Sequence, residues 1–89
     1  MRHAGPAALD RLAPLLNDIR DTLAGRPGVV ERSQGVFYRK GRALLHFHED
    51  PAGLFADLRL SDDWRRFPVN GKAEQAALIA ALARRLPRI

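Results

Sequence analysis

The sequence has no cysteine, and among its 89 residues it has only one tryptophan and one tyrosine. The absence of cysteine excludes disulfide bonds, thiol catalysis and zinc sites with cysteine ligands. The longest apolar run covers residues 76–83, which is too short to span a bilayer. The first ten residues, MRHAGPAALD, lack the long apolar segment of a signal peptide. We therefore expect a cytoplasmic protein that does not bind to membranes.

Long runs of basic residues are also absent, although the chain carries a net charge of +5. Acidic residues are interspersed among the thirteen arginines, so the positive charge is spread out rather than concentrated. The composition, 46% hydrophobic and 28% charged, is ordinary for a globular protein and too apolar for a disordered tail. A chain of this length corresponds to a single domain, residues 1–89.

Two segments have the apolar spacing of helices, one near each end of the chain. The first predicts a helix over about 11–24, with Asp10 as its cap and Pro14 harmlessly in its first turn. The second predicts a helix over about 71–86, capped by Asn70. Alanine covers much of this last helix, a pattern typical of burial on two sides. The last helix therefore packs on the first helix or forms a homodimer interface. The sheet could also form the homodimer interface.

Between the helices, the pattern predicts an antiparallel meander of three strands. The first covers about 29–39 with a bend at Gly35, the second about 42–48 and the third about 53–60. A brief edge strand at 67–69 would make a fourth. The predicted fold class is therefore α+β, with both helices packed on one face of a three- to four-stranded sheet.

Two tight turns, at residues 40–41 and 49–52, set the predicted register of this meander. The first turn pairs Phe37 with Leu44. Strict alternation then divides the strands into a core face and an outer face. Trp64 is expected to close the end of the core. The outer face is expected to carry Phe37, Leu44, His46, His48, Phe55, Asp57 and Arg59.

His46 and His48 are the most informative residues of the outer face. Two histidines at positions i and i+2 of a strand point to the same side, close enough to chelate a metal ion or to hold an anion. In the predicted register, His46 lies beside Phe55. A face that mixes apolar and ionisable groups is typical of a binding cleft, but the open face of an antiparallel sheet also carries such residues without any further role. The predicted ligand-binding set is His46, His48, Asp57, Phe55 and Arg59.

The leading functional prediction is a non-enzymatic binding or interaction module. It would meet an unidentified protein or small ligand on the outer face of the sheet. We expect no catalytic residues and no cofactor, because GxSxG, P-loop, GxGxxG and HExxH motifs are all absent from the sequence.

Two alternatives use different chemistry. The first is a weak nucleic-acid binder, in which the basic hairpin and later arginines contact phosphates. Its residues are Arg39, Lys40, Arg42, Arg65 and Arg66. The second is a metal-assisted enzyme. Its ion would be held by His46, His48 and Asp57, which fit a metal centre without cysteine.

Several short motifs between residues 27 and 60 form a further pattern. They are Pro27-Gly28-Val29, Phe37, Gly41-Arg42, His46-Phe47-His48, Gly53-Leu54 and Ala56-Asp57-Leu58. In these motifs the chain resembles the small bacterial luciferase domain-containing proteins. The resemblance implies an α+β domain with a binding face, and it carries over no catalytic residues.

Overall fold

The computed structural model describes residues 2–87 and has an α+β fold. The three helices are α1 (Pro6–Arg11), α2 (Ala13–Leu23) and α3 (Lys72–Arg85). The six strands are β1 (Arg2–His3), β2 (Val29–Ser33), β3 (Val36–Arg39), β4 (Arg42–Asp50), β5 (Gly53–Leu60) and β6 (Asp63–Pro68).

All six described strands belong to one antiparallel sheet. Strands β2 to β6 lie side by side in chain order, as in a meander. Strand β1 lies off this path and pairs with the second half of β4, where His3 faces His48. Strand β4 is therefore the centre of the sheet, because β3, β5 and β1 all pair with it.

The structure corrects the expected number of strands, which was three to four. Residues 29–39 form a hairpin rather than one bent strand, because the chain reverses at Gly35. Gly35 has φ +75°, a backbone conformation that glycine adopts without steric cost. The last strand covers Asp63–Pro68 rather than 67–69. Strand β1 has only two residues, too few for alternation to indicate it.

A β-bulge corrects the expected register of the β3–β4 hairpin. Tyr38 pairs with Ala43, but Phe37 pairs with Leu45 rather than with Leu44, its predicted partner. Leu44 is the extra residue of β4 at this irregularity. As a consequence, Phe37 and Leu44 belong to the buried core and not to the outer face, where the sequence places them.

The turn between β4 and β5 is shorter than expected. Asp50 pairs with Gly53, so the turn has two central residues instead of the four at 49–52. This shift moves the register by two residues, and His46 faces Asp57 rather than Phe55. Because side chains alternate with a period of two, the histidines stay on the predicted face.

One hydrophobic cluster joins the helices to the sheet. Its sheet members include Leu45 and Phe47, which alternate with the histidines along β4, and Leu58, which follows Asp57 on β5. Burial of a leucine or phenylalanine side chain contributes about 1.5–3 kcal/mol. The helices contribute Leu9, Leu12, Leu15, Leu16, Ile19, Leu23, Leu78, Ala81 and Leu82 to the same cluster.

The helix ends differ from the sequence prediction. The first helical segment is divided at Leu12, which ends α1 and caps α2, and Pro14 lies in the first turn of α2. The carboxylate of Asp10 does not cap the helix but accepts a hydrogen bond from Gln34 at 3.3 Å. Helix α3 begins after Gly71, because the side chain of Asn70 instead accepts a hydrogen bond from the amide of Leu54.

Helix α3 buries one arc, and much of its alanine-rich surface is exposed in the single chain. Leu78, Ala81 and Leu82 are buried, whereas Ala76 and Ala80 are exposed. The homodimer interface on this helix therefore stays a prediction. None of the helices in residues 2–87 is both long enough and apolar enough to cross a membrane. The cytoplasmic location stays a prediction as well.

The turn at Gly35 is held by a carboxylate. Glu31 accepts hydrogen bonds from two nitrogens of Arg20, both at 2.8 Å, and one from the amide of Gly35 at 3.0 Å. The bonds from Arg20 are the main reason that the pKa of Glu31 is lowered. Glu31 thus links helix α2 to the β2–β3 hairpin and fixes the turn at which the chain reverses.

We predict that Gly35→Ala destabilises the protein more than Gly41→Ala. Both glycines have positive φ, so either alanine is strained by about 1–2 kcal/mol. A Cβ at Gly35 would also lie 2.8 Å from Leu9, whereas nothing lies within 4 Å at Gly41. Urea denaturation should therefore show a further loss of about 1 kcal/mol or more for Gly35→Ala. Equal midpoints for the two variants would contradict the close packing of α1 on this turn.

Candidate functional site

Three histidines meet on the outer face of the sheet. His46 and His48 point to the same side of β4, and β1 places His3 opposite His48. The ring centroids of His3 and His48 are 4.7 Å apart, and those of His46 and His48 are 4.8 Å apart. One nitrogen from each of the three rings lies within 4.8 Å of the others. These are all the histidines of the chain.

Sequence reasoning missed His3, and the reason is physical. Its strand has two residues, and the pairing with β4 joins the start of the chain to its middle. The link is made by the backbone, since the amide of Ala4 donates to the carbonyl of Phe47 at 3.0 Å. The carboxylate of Glu49 adds a bond from the amide of Gly5 at 2.7 Å and an ion pair with Arg2 at 3.2 Å. No local pattern near His3 indicates these contacts.

Asp57 lies on the neighbouring strand β5, opposite His46, and is not one of the three clustered ligands. It is the one buried charged residue in residues 2–87. Its Oδ2 lies 3.1 Å from Nε2 of His48, and its two oxygens accept hydrogen bonds from Nε and Nη2 of Arg66, both at 2.8 Å. The hydrogen bonds from Arg66 are the main reason that the pKa of Asp57 is lowered. Asp57 is therefore an ionised carboxylate that orients His48.

Two ring nitrogens of the cluster are buried without a partner. In the described part of the chain, Nδ1 of His46 and Nδ1 of His48 make no hydrogen bond. Buried polar atoms are nearly always paired, so such atoms call for an explanation. Because Asp57 already engages Nε2 of His48, the unpartnered Nδ1 is the nitrogen that this ring can offer to a ligand.

His46 is held in its neutral form by its surroundings. Its pKa is lowered, chiefly by burial and then by the neighbouring His48 and, more weakly, by His3, while Asp57 opposes this shift. The neutral imidazole is the form that coordinates a metal ion. The site therefore presents a metal-binding form of His46 at neutral pH.

Trp64 flanks the histidines, and its expected role as the closure of the core is wrong. Its side chain is 40% exposed, and its ring lies 4.8 Å from that of His46, centroid to centroid. The guanidinium of Arg59 lies over the same ring at 4.4 Å. Trp64 thus forms one wall of the site and connects it to Arg59.

The remaining residues of the predicted ligand-binding set lie on the same face. Phe55 is half-buried and pairs with His48 in the sheet. Arg59 pairs with Trp64, and its Nε donates to the carbonyl of Ala43 at 2.7 Å. The alternative metal set lacks His3, and it treats Asp57 as a ligand although the structure places that carboxylate against Arg66 and His48.

The five residues proposed for nucleic acid do not share one surface. Arg39, Lys40 and Arg42 lie together at the end of the β3–β4 hairpin, where they line a small cavity. Arg66 binds Asp57 on the histidine face. Arg65 lies over the ring of the buried Phe67 at 4.5 Å, on the other side of β6.

A scan of protein-family models, a search of curated proteins and a search of solved structures each found no match. The resemblance to the luciferase domain-containing proteins therefore stays a prediction, and the function is inferred from the geometry of the site.

We predict that Asp57→Asn destabilises the metal-free protein at pH 7, because Arg66 and His48 lose a charged acceptor. The expected loss is about 1–2 kcal/mol in urea denaturation. The matched control is Asp63→Asn on β6, which removes an equal charge from an exposed position. Since the folded-state pKa of Asp57 is lowered, its stabilisation is present above the unfolded pKa and is lost as the pH falls. The difference between the two variants should therefore begin to shrink only below about pH 4 and should vanish as the pH falls through the lowered pKa of Asp57, whereas a difference independent of pH would contradict the assignment.

Proposed function

We propose that this protein is a binding module whose ligand is a divalent transition-metal ion, held by His3, His46 and His48. The observation that supports the proposal most directly is that every histidine of the chain lies in this one cluster, with the ligand nitrogens within 4.8 Å of one another. If the three rings move slightly closer together, one nitrogen of each can lie about 2.0–2.1 Å from a shared ion, which is the zinc–nitrogen distance.

The donor set selects the class of ion. Imidazole suits zinc, copper, nickel and cobalt, whereas calcium and magnesium prefer oxygen ligands. Three protein ligands are fewer than the four of a structural zinc site, so one position stays open to a further ligand. The carboxylate of Asp57 behind His48 is the kind of outer contact that fixes the orientation of a metal-binding ring.

We propose further that both helices cover the core face and leave the histidine face open. The buried helix residues belong to the same cluster as Leu45 and Phe47, which alternate with the histidines along β4. An ion at the histidines would then be accessible from the solvent, and a protein or small molecule could occupy its open position.

The contacts of the Asp57 carboxylate favour a binding role over a metal-assisted enzyme. A general base must be within reach of the proton that it removes. Asp57 accepts two hydrogen bonds from Arg66 and lies against His48, so its oxygens serve to position other groups. We therefore assign Asp57 a positioning role and assign no catalytic residue.

The proposal predicts that the untagged chain binds one zinc ion in isothermal titration calorimetry. His46→Ala and His48→Ala should each lose measurable binding, and His3→Ala should do so as well. Asp57→Asn should weaken binding by about 10–100-fold, as loss of an outer contact does, whereas Asp63→Asn should bind like the natural sequence. Circular dichroism would show that each variant is folded. Zinc binding that survives His3→Ala together with His46→Ala would overturn the proposal.

The affinity should also fall as the pH is lowered. Metal ions bind neutral imidazole, so protons compete with zinc at every ligand. Between about pH 7.5 and pH 5.5 we expect the affinity to fall, and because the pKa of His46 is lowered by burial, the loss of this ligand should extend to lower pH than for an ordinary histidine. Cobalt(II) titrations at both pH values, followed by visible absorption, provide the measurement. Equal affinity at the two pH values would show that the ion is bound elsewhere, at carboxylates.

A further inference from the structure

A second feature lies at the hairpin end of the sheet, beyond the histidine cluster. It is a small cavity of about 160 Å³, next to the β-bulge. Five of its seven lining residues are basic and none is acidic. The lining consists of Arg39, Lys40, Arg42, Ala43, Leu44, Arg59 and Arg85.

Two of the guanidinium groups are fixed by the backbone. Nε of Arg59 donates to the carbonyl of Ala43 at 2.7 Å, and Nε of Arg85 donates to the carbonyl of Arg59 at 3.0 Å. The guanidinium of Arg59 is further held by its position over Trp64. Because each group uses Nε for the backbone, its terminal Nη atoms stay available to an external acceptor. Planar donors held in this way are suited to oxyanions.

The positive charge around the cavity is poorly compensated within the described chain. The nearby carboxylate of Asp62 lies 3.8 Å from Nη2 of Arg42, but its side chain is 94% exposed. An ion pair so accessible to water contributes little stabilisation, because water screens the two charges from each other. Several cations around one concavity create a positive potential that attracts an anion.

We propose that this cavity binds a phosphate group. Its volume is well below the roughly 300–1,000 Å³ of pockets for drug-sized ligands, so it suits a single small oxyanion rather than a whole cofactor. Arginine forms paired hydrogen bonds with phosphate oxygens, and Lys40 adds a further positive charge to the lining. None of the three histidines lines the cavity, so phosphate binding here does not depend on metal binding at the histidines.

The phosphate group has two candidate sources, a small phosphorylated molecule and a nucleic-acid backbone. Inorganic phosphate is the probe for the first source, and a short single-stranded thymidine oligonucleotide is the probe for the second. Trp64 is the sole tryptophan, and Arg59 lies over its ring, so binding should change its fluorescence. Buffers passed over a chelating resin keep metal ions out, and chloride at equal ionic strength controls for salt.

The variants Arg85→Gln and Arg42→Gln should each weaken phosphate binding by about tenfold or more. Arg84→Gln is the matched control, because it removes the same charge from the neighbouring residue of α3, which does not line the cavity. It should change the affinity by less than about twofold. Arg42 has an exposed side chain, so its variant tests the cavity even where Arg85→Gln affects folding.

Two results would overturn the proposal. One is a fluorescence response to phosphate no larger than the response to chloride. The other is an equal loss of affinity in Arg84→Gln and Arg85→Gln, which would indicate diffuse charge rather than a cavity. Competition between phosphate and the oligonucleotide would assign the site to a nucleic-acid backbone. Phosphate binding without such competition would assign it to a small phosphorylated ligand.

Discussion

The pairing of β4 with three other strands is the constraint on which the rest of the structure depends. Strand β5 pairs along one edge of β4, while β3 and β1 share the other edge. A strand held on both edges cannot slip, so its alternation is fixed. Leu45 and Phe47 then enter the core, while His46 and His48 must lie on the opposite side. The same pairing that organises the core therefore creates the histidine cluster.

The two charged regions of the sheet have different physical characters. At the histidine cluster, Asp57 and Arg66 neutralise each other, and the unpartnered atoms are ring nitrogens, which are donors of electron pairs to metal ions. At the hairpin end, four of the residues that line the cavity are arginines, whose guanidinium N–H groups are donors that bind anions. Trp64 lies between the two regions, in contact with His46 and with Arg59. One small sheet thus carries two clusters of opposite chemical preference, which are connected through Trp64 and Arg59.

Local patterns in the sequence were enough to predict the α+β class and the face of the paired histidines. The spacing of His46 and His48 is a local property of one strand, and a register error of two residues leaves it unchanged. Features that depend on tertiary contacts could not be predicted. The bulge at Leu44 reflects the packing of two adjacent leucines into one core, and the position of His3 depends on a strand of two residues that pairs far along the chain. The role of Trp64 was missed because composition cannot show which side of an edge strand faces the core.

The shortness of β1 has a thermodynamic consequence for any ion that the histidines bind. The segment that carries His3 is attached by few bonds, chiefly from Ala4 and Gly5 to β4 and its carboxylate Glu49. An ion coordinated by His3 and His46 would link the first strand to the middle of the chain, and because the ligands come together only in the folded state, its binding free energy would stabilise that state. Conversely, each detachment of the segment would remove one ligand of such an ion, so the apparent affinity would be scaled by the fraction of molecules in which the segment is docked. The affinity for such an ion and the order of this segment would therefore be two measures of a single equilibrium.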